Sequence, residues 1–581
     1  MTKKVDPVTV EVIRNATGNV CDTMKVTVES TAYSSVISEV VDYSNAIIDP
    51  EGELVAETAG LPVFLGTLSE AVREVDRVIG FDELEDEDII FCNDPYSGGF
   101  SHNPDITVMK PVFVDGNLET FSCFRGHTLD MGSRTPGGWL NNTENCYQDG
   151  VCFPPVKLYR RGEKNEDIFR LIERSTRYPD TVLGDIRAMV SAVRVGDDRM
   201  SKLYDHYGVD VMRNAMNQLR DNAEGVAREA VRKLPDGKYS GEYFADGDGD
   251  DDNPITDKIK VSMQMEIDDD EIRVGFEGSS PQTNGPMNCP AVTTESLVRL
   301  GFKALTTPDQ PNNAGHFRPL EVSTPPRTVV NPEPPASTAL NWIHVGGIPD
   351  LMQKILEDVI PEKVTGSHFG TPCAHFIYGE DPRDGSGYLF TEGDAGGWGA
   401  TPNRDGDGGL FCKELGDTRN TPVEVVETKY PLKIAEYGFI KDSGGPGKHR
   451  GGLGVKRDFT PIGADVDITA TFDRQKYSPP WGVQGGKAGS TNYILFFKED
   501  GSTKEYGKIT DMPLKESEVV SFRTGGGGGY GDPFEREPEK VLKDVRDEYV
   551  SREKAREDYG VVITKDMKID WEKTREIRKV K

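Results

Sequence analysis

Residues 105–127 read DITVMKPVFVDGNLETFSCFRGH, two runs rich in β-branched and aromatic residues on either side of Asp115-Gly116. Asp-Gly between such runs signals a tight β-hairpin, because both loop residues take positive φ and few other pairs do so cheaply. A two-residue loop sets Asp105 opposite Gly126. A three-residue loop with a bulge sets Asp105 opposite His127. Either way, the two ends of the ribbon come within about 5–8 Å of each other. Just before it, CNDPYSGGFSHNP at 92–104 is a glycine-rich turn carrying His102, one of only 8 histidines in the chain. The turn lets His102 fold back over the strand end, so His102, Asp105 and His127 become one candidate site. Two imidazoles and one or two carboxylates suit Mn²⁺, Zn²⁺ or Fe²⁺ with coordination positions left open. Spacing alone also leaves open a loop-capping His102 and a strand-end His127.

Working outward, Asp6-Pro7 reads as an N-cap with proline at the first helical position, and Ile13, Val20, Met24 and Val28 follow at near-helical spacing. NAIIDPEGELVAE is expected to turn at Pro50-Glu51-Gly52. TLSEAVREVDRVIG is expected to start a helix at a Thr67 cap, and EDIIFCNDP to be a strand. Residues 165–233 are helix-rich. The expected class is α+β and multi-domain. Residues 1–160 form a metal-binding α+β region, 161–240 a helical region and 241–430 a mixed region. Residues 431–535 are β-rich, and 536–581 form a charged, mostly exposed helical tail. The run DGDGDDDN at 246–253 spaces its aspartates as a calcium loop does, but Asp251 and Asp257 stand where that loop needs Gly and Glu. A solvated turn is expected.

Composition narrows the classes. A net charge of −30 argues against a nucleic-acid partner. The chain shows no apolar run of the roughly 18–20 residues that span a bilayer and no signal peptide, so a cytoplasmic protein with no membrane partner is expected. The 8 cysteines include no CxxC pair, and Cys146 and Cys152 are expected to be ordinary thiols. TGGGGGYGDP at 524–533 lacks the Gly-Lys-Ser/Thr ending of a phosphate loop. Close backbone-on-backbone packing is expected there, with a substrate-channel wall as the alternative. SGGPGKHRGGLG at 443–454 is expected to be a basic turn.

The chain resembles the hydantoinase B/oxoprolinase family. The likeness runs in order through DPVTVEVIRN, TAYSSVISEVVDYSNAIID, NDPYSGGFSHNPDIT, RGHTLDMG and PPVKLYRRGE, then GSSPQTNGPMNCP, FRPLEV, NTPVEVVE, PPWG and TGGGGGYGDPFER. It implies a B-type subunit in a hetero-oligomer with a larger A-type subunit, which binds ATP and Mg²⁺ and phosphorylates a substrate carbonyl. The B-type subunit then resolves the activated intermediate at a divalent metal held by His102, Asp105 and His127, with Asp42 of EVVDYSNA as the fourth ligand. The substrate implied is a cyclic amide of the hydantoin, oxoproline or lactam type. An alternative is a ketone joined to CO₂, as in acetone and acetophenone carboxylases, and a second is a non-catalytic scaffold. Glu144 and Asp149, in NNTENCYQDGVCFPP, are candidate proton shuttles. The chain departs from hydantoinase-type relatives at His127-Thr128, where they carry two adjacent histidines, at LNWIHVGGIPDLMQ, and at Asp149, a shorter acid than theirs.

Overall fold

Asp6 caps the first helix as expected: its carboxylate accepts the Thr9 N–H at 2.9 Å, Pro7 takes N1, and α1 runs Pro7–Thr31. A single turn, α2 (Ser35–Ser38), leads to β1 (Tyr43–Ile48), which returns through Pro50-Glu51-Gly52 as β2 (Leu54–Glu57). Helix α3 (Pro62–Val78) begins a turn earlier than the Thr67 reading placed it. Pro62 supplies the start, and the Thr67 hydroxyl, inside the helix, bonds back to the Phe64 carbonyl at 2.6 Å. Strands β3 (Ile89–Cys92), β4 (Asp105–Val114), β5 (Asn117–His127), β6 (Val156–Arg160) and β7 (Glu163–Lys164) complete an antiparallel sheet ordered β2-β1-β5-β4-β3-β6-β7. The computed structural model describes residues 4–58, 60–97, 99, 101–247 and 258–579.

The central hairpin combines features of both expected registers. Val114 pairs with Asn117 across Asp115 (φ 51°) and Gly116 (φ 80°), a two-residue loop. Further in, Phe113 faces Leu118 but Val112 faces Thr120, so Glu119 is extra and the register slips by one. Asp105 consequently faces His127.

This sheet is sandwiched. On one face α3 buries Leu68, Ala71, Val72 and Val75 against Ala46, Ile48, Ile90, Met109, Phe121 and Cys123. Each large aliphatic or aromatic side chain here contributes about 1.5–3 kcal/mol. After α4 (Glu166–Arg174), helix α5 (Pro179–Tyr207) covers the other face beside α1. It packs so closely that a Cβ on Gly196 would lie 2.7 Å from Met24 Sδ. Helix α6 (Val209–Val231) follows. Next come β8 (Gly237–Asp246), β9 (Lys258–Asp268), β10 (Glu271–Gly275), α7 (Ala291–Thr306) and β11 (Leu320–Ser323). These strands form a sheet ordered β11-β10-β9-β8.

By contact the chain divides into two units that alternate along the sequence. One comprises Met1–Ser240, Ser262–Asn341 and Glu414–Arg419; the other comprises Gly241–Val261, Trp342–Lys413 and Asn420–Lys581. The second unit holds α8 (Gly347–Lys354), β12 (Ala374–Glu380), β13 (Gly387–Glu392), α9 (Val423–Lys429), β14 (Leu432–Phe439), β15 (Val455–Pro461) and β16 (Val466–Thr471). Strands β17 (Tyr493–Phe497), β18 (Thr503–Tyr506), β19 (Lys508–Leu514) and β20 (Val519–Arg523) follow. They build two antiparallel sheets, β13-β12-β16-β19 and β14-β15-β20-β17-β18. His375 of β12 stacks on Phe522 of β20 at 4.0 Å, and Phe390 of β13 meets Phe459 of β15 at 5.8 Å, so the inner faces share an aromatic core.

The glycine run belongs to this unit and joins backbone to backbone. A Cβ on Gly526, Gly527 or Gly528 would come within 2.0 Å of a carbonyl oxygen, from Ser443, Trp398 and Trp481 respectively. Gly527 N–H donates to Gly452 and Gly528 N–H to Ser367, at 2.9 and 2.7 Å. The basic turn before it is neutralised by acids: Arg450 Nε lies 3.6 Å from Asp544, and Lys448 lies 3.4 Å from Glu535.

The tail forms α10 (Pro538–Arg546), α11 (Arg552–Tyr559) and α12 (Trp571–Lys579). Its charged sequence hides a small core of its own, Val541, Val545, Ala555, Tyr559 and Val561. Of the acidic run 246–253, Asp246 accepts the backbone N–H groups of Gln475, Lys476 and Tyr477, whereas residues 248–253 lie outside the described residues. Among the described residues no helix is long and apolar enough to cross a membrane. Cys146 and Cys152 are both free thiols.

Candidate metal centre

Strand alternation leads directly from the core to the site. Along β5 the residues facing α3 are Phe121, Cys123, Arg125 and His127; their partners on β4 include Met109, Thr107 and Asp105. On the other flank β1 pairs Tyr43 with Gly126, which brings Asp42 opposite His127, whose N–H donates to the Asp42 carbonyl at 3.0 Å. Asp42, His127 and Asp105 therefore form one row across three neighbouring strands. His102 joins the row from the preceding turn, its Nε2 3.3 Å from Asp105 Oδ2 and its ring centroid 5.1 Å from that of His127. One donor atom each from His102, Asp105 and His127 lies within 4.8 Å of the others.

The row is chemically unsatisfied. His102 Nδ1, Asp105 Oδ1, His127 Nδ1 and Asp42 Oδ1 are buried without a hydrogen-bond partner, a costly state for polar groups unless something joins them. His127 Nε2 accepts the Trp139 indole N–H at 3.0 Å, so in the neutral ring Nδ1 carries the proton and the lone pair an ion would need, on Nε2, is held by the indole. Burial, reinforced by His102, pushes His127 down to about 3, so its ring is neutral at pH 7, the form that ligates metals. Burial first, and the charge of Asp105 second, push the Asp42 carboxyl well up from the usual carboxylate range. Two acids of this kind share a buried site poorly unless a cation lies between them. The donor set fits a divalent ion.

The surroundings hold the row rigid. Thr128 donates both its N–H (2.8 Å) and its hydroxyl (2.9 Å) to the Pro104 carbonyl, pinning the ends of β4 and β5 together. Buried Arg125 donates to Thr107 at 2.7 Å, to Thr67 of α3, and to the Gly99 carbonyl at 3.1 Å, tying the glycine-rich turn to the helix. Asn93 donates to the carbonyls of Asn103 (2.7 Å) and Val151 (2.9 Å) and accepts the Phe153 N–H, joining that turn to the segment carrying Asp149.

The two candidate shuttles separate. Asp149 is buried, accepts Ser337 Oγ at 2.6 Å and the Thr338 N–H at 3.0 Å, and is close enough to His102 for the imidazole's charge to act on it. Burial raises its carboxyl from the usual range. Glu144 is exposed on the same loop, its N–H bonded to the Gln148 side chain at 2.9 Å. Trp139, Asn93 and Ser337 escaped the sequence reading; an indole or amide at a loop position carries no periodic signal. In the second unit, His344 is buried against the Tyr243 hydroxyl at 2.9 Å.

Residues 6–533 match the family model described as hydantoinase B/oxoprolinase. The chain belongs to that family. Relatives in the family include the caprolactamase subunit beta of Pseudomonas jessenii, 33% identical over 97% of this chain and 98% of that one. The crystal structure of the ATP-dependent caprolactamase from the same organism superposes with a TM-score of 0.93, at 32% identity, covering 99% of this chain and 100% of that one. The 5-oxoprolinase of Dictyostelium discoideum is 28% identical over 91% of this chain, which spans 41% of that longer protein. A nucleotide-free acetone carboxylase structure gives a TM-score of 0.90 over 99% of this chain and 83% of that one, but at 20% identity the likeness is one of fold.

Proposed function

We propose that this chain is the B-type subunit of an ATP-dependent enzyme that opens a cyclic amide of the hydantoin, oxoproline or lactam type. The observation that carries the reading is the row of Asp42, His127 and Asp105 with His102 beside it, three buried residues and a half-buried Asp42, each with a buried unpartnered atom. A full-length likeness to a caprolactamase subunit supports it. A larger ATP-binding partner converts the inert carbonyl oxygen into a phosphate ester, and this chain receives the activated ring. His102, Asp105 and His127, whose donor atoms converge, would hold a divalent ion, Mn²⁺, Zn²⁺ or Fe²⁺ by donor type, with Asp42 as the proposed fourth ligand. Bound there, such an ion would act as a Lewis acid on water and on the oxygen of the activated group. Asp149 accepts the proton of the attacking water and returns it to the ring nitrogen as the C–N bond opens to an amine and an acyl phosphate, which a second water splits into a carboxylate and inorganic phosphate. Ser337 and Thr338 keep its carboxylate aimed, and Thr128 and Arg125 keep the two strand ends in register. The activated ring loses phosphate readily to bulk water, so the two subunits work as one closed complex.

The ketone-carboxylase reading has only the shared fold behind it. One experiment separates the two. The chain is co-purified with its ATP-binding partner, and metal content and ATP turnover are measured with lactams, hydantoins and aromatic ketones, with and without bicarbonate. Amide-dependent turnover that ignores bicarbonate is the expected result. Turnover that requires a ketone and bicarbonate would replace the amide reading with the carboxylase one.

A further inference from the structure

A second group of unsatisfied polar atoms lies in the first unit, and it includes none of the metal-row residues. A cavity of about 520 Å³ is lined by Arg14 of α1, Glu57 at the end of β2, Lys303 of α7, and Asn312 and His316 of the following loop, with Val226 among its apolar walls. Four of these residues present a buried atom without a hydrogen-bond partner: Arg14 Nε, Glu57 Oε2, Asn312 Oδ1 and His316 Nδ1. Arg14 uses Nη2 on Glu11 at 2.6 Å, and Lys303 Nζ donates to the Gln310 carbonyl at 2.7 Å, so both cations are anchored at the cavity wall. Asn312 bonds the Glu57 carboxyl, and the Lys303 charge acts on the same carboxyl. Burial nevertheless holds Glu57 up at about 7, so its local partners do not fully compensate it.

The unmet needs have two signs. Glu57 Oε2 and Asn312 Oδ1 are unmet acceptors and Arg14 Nε is an unmet donor, while the Lys303 ammonium, already bonded to Gln310, adds positive charge beside them. A bare cation would meet Arg14 and Lys303, and a bare anion would meet Glu57. We propose that this cavity binds a small zwitterion, a free amino acid whose ammonium lies against Glu57 and Asn312 and whose carboxylate lies against Arg14 and Lys303. The site stands apart from the metal row and does not depend on the activity assigned to that row.

Calorimetric titration of the full chain tests it. The probes are glycine, β-alanine, 4-aminobutanoate and 6-aminohexanoate, which vary the spacing between the charged ends; methylammonium, acetate and ε-caprolactam serve as single-function controls. At least one zwitterion is expected to bind tenfold or more tightly than any control. Glu57→Gln and Arg14→Gln are each expected to weaken that binding at least tenfold, and the His102→Ala/His127→Ala double variant to leave it unchanged. Arg14 is partly exposed on α1, so its variant stays informative should Glu57→Gln fail to fold. The proposal is overturned if no zwitterion binds, if a control binds as tightly, or if neither of the two single variants that can be measured weakens binding. Binding lost in the double histidine variant would also overturn it, by assigning the ligand to the metal row.

Discussion

Trp139 shows how one side chain competes for a ligand. Its indole N–H holds the Nε2 lone pair of His127, and Nδ1 of the neutral ring carries the proton, so an ion must take Nε2 from the indole. One such hydrogen bond is worth about 1 kcal/mol net. Trp139→Phe, which keeps the bulk and deletes the donor, should therefore tighten metal binding by about five- to tenfold in a chelator competition; unchanged or weaker affinity would mean the indole does not compete for the ring. The paired acids allow a sharper contrast. Asp149→Asn should slow product formation by about 10²–10⁴-fold, the usual worth of a positioned proton carrier, while Glu144→Gln, out in solvent, stays within about twofold. Equal losses in both would remove Asp149 from the chemistry.

Glycines separate two kinds of constraint at the level of the element. Gly116 turns the central hairpin at φ 80° with open space around it, so Gly116→Ala meets only the left-handed backbone penalty, about 1–2 kcal/mol. Gly527→Ala would drive a methyl to 1.9 Å from the Trp398 carbonyl oxygen, in a place held by main-chain bonds on both sides. That clash should exceed about 4 kcal/mol and abolish soluble protein, whereas Gly116→Ala lowers a denaturation midpoint modestly. A soluble, fully stable Gly527→Ala chain would contradict the packing described. These elements also mark how far the sequence could be read. Asp115-Gly116 and the Asp6-Pro7 cap act through neighbours in the chain, and both were legible. The Glu119 slip that brings Asp105 to His127 was open between two registers, because a bulge depends on how the far strand packs. Asp42 reaches the row through the β1–β5 pairing, a long-range contact; only the family likeness pointed to it. Trp139 and Asn93 depend on loop closure and left no trace in local pattern.

Across the whole molecule, buried titratable groups give the fold a pH signature. His316 is 2% exposed, and burial holds it down at about 4 against 6.5 in the open chain. Between those values the unfolded chain takes up a proton that the folded one refuses, so stability falls as pH drops from 6.5 towards 4, by roughly 3 kcal/mol for this group alone. Denaturant titrations across that window should show His316→Gln losing less stability on acidification than the parent; identical slopes would mean the ring protonates freely in the folded state.

The alternation of the two units along the sequence has a consequence for synthesis. Glu414–Arg419 belongs with the first unit, although some seventy residues of the second unit precede it and a long stretch follows. A ribosome must therefore deliver more than two-thirds of the polypeptide before the N-terminal unit has all its parts. Until then its sheet and helices wait on an incomplete surface, open to chaperones and prone to premature association. Truncated transcripts ending anywhere before that hexapeptide should yield aggregates and not a soluble amino-terminal domain.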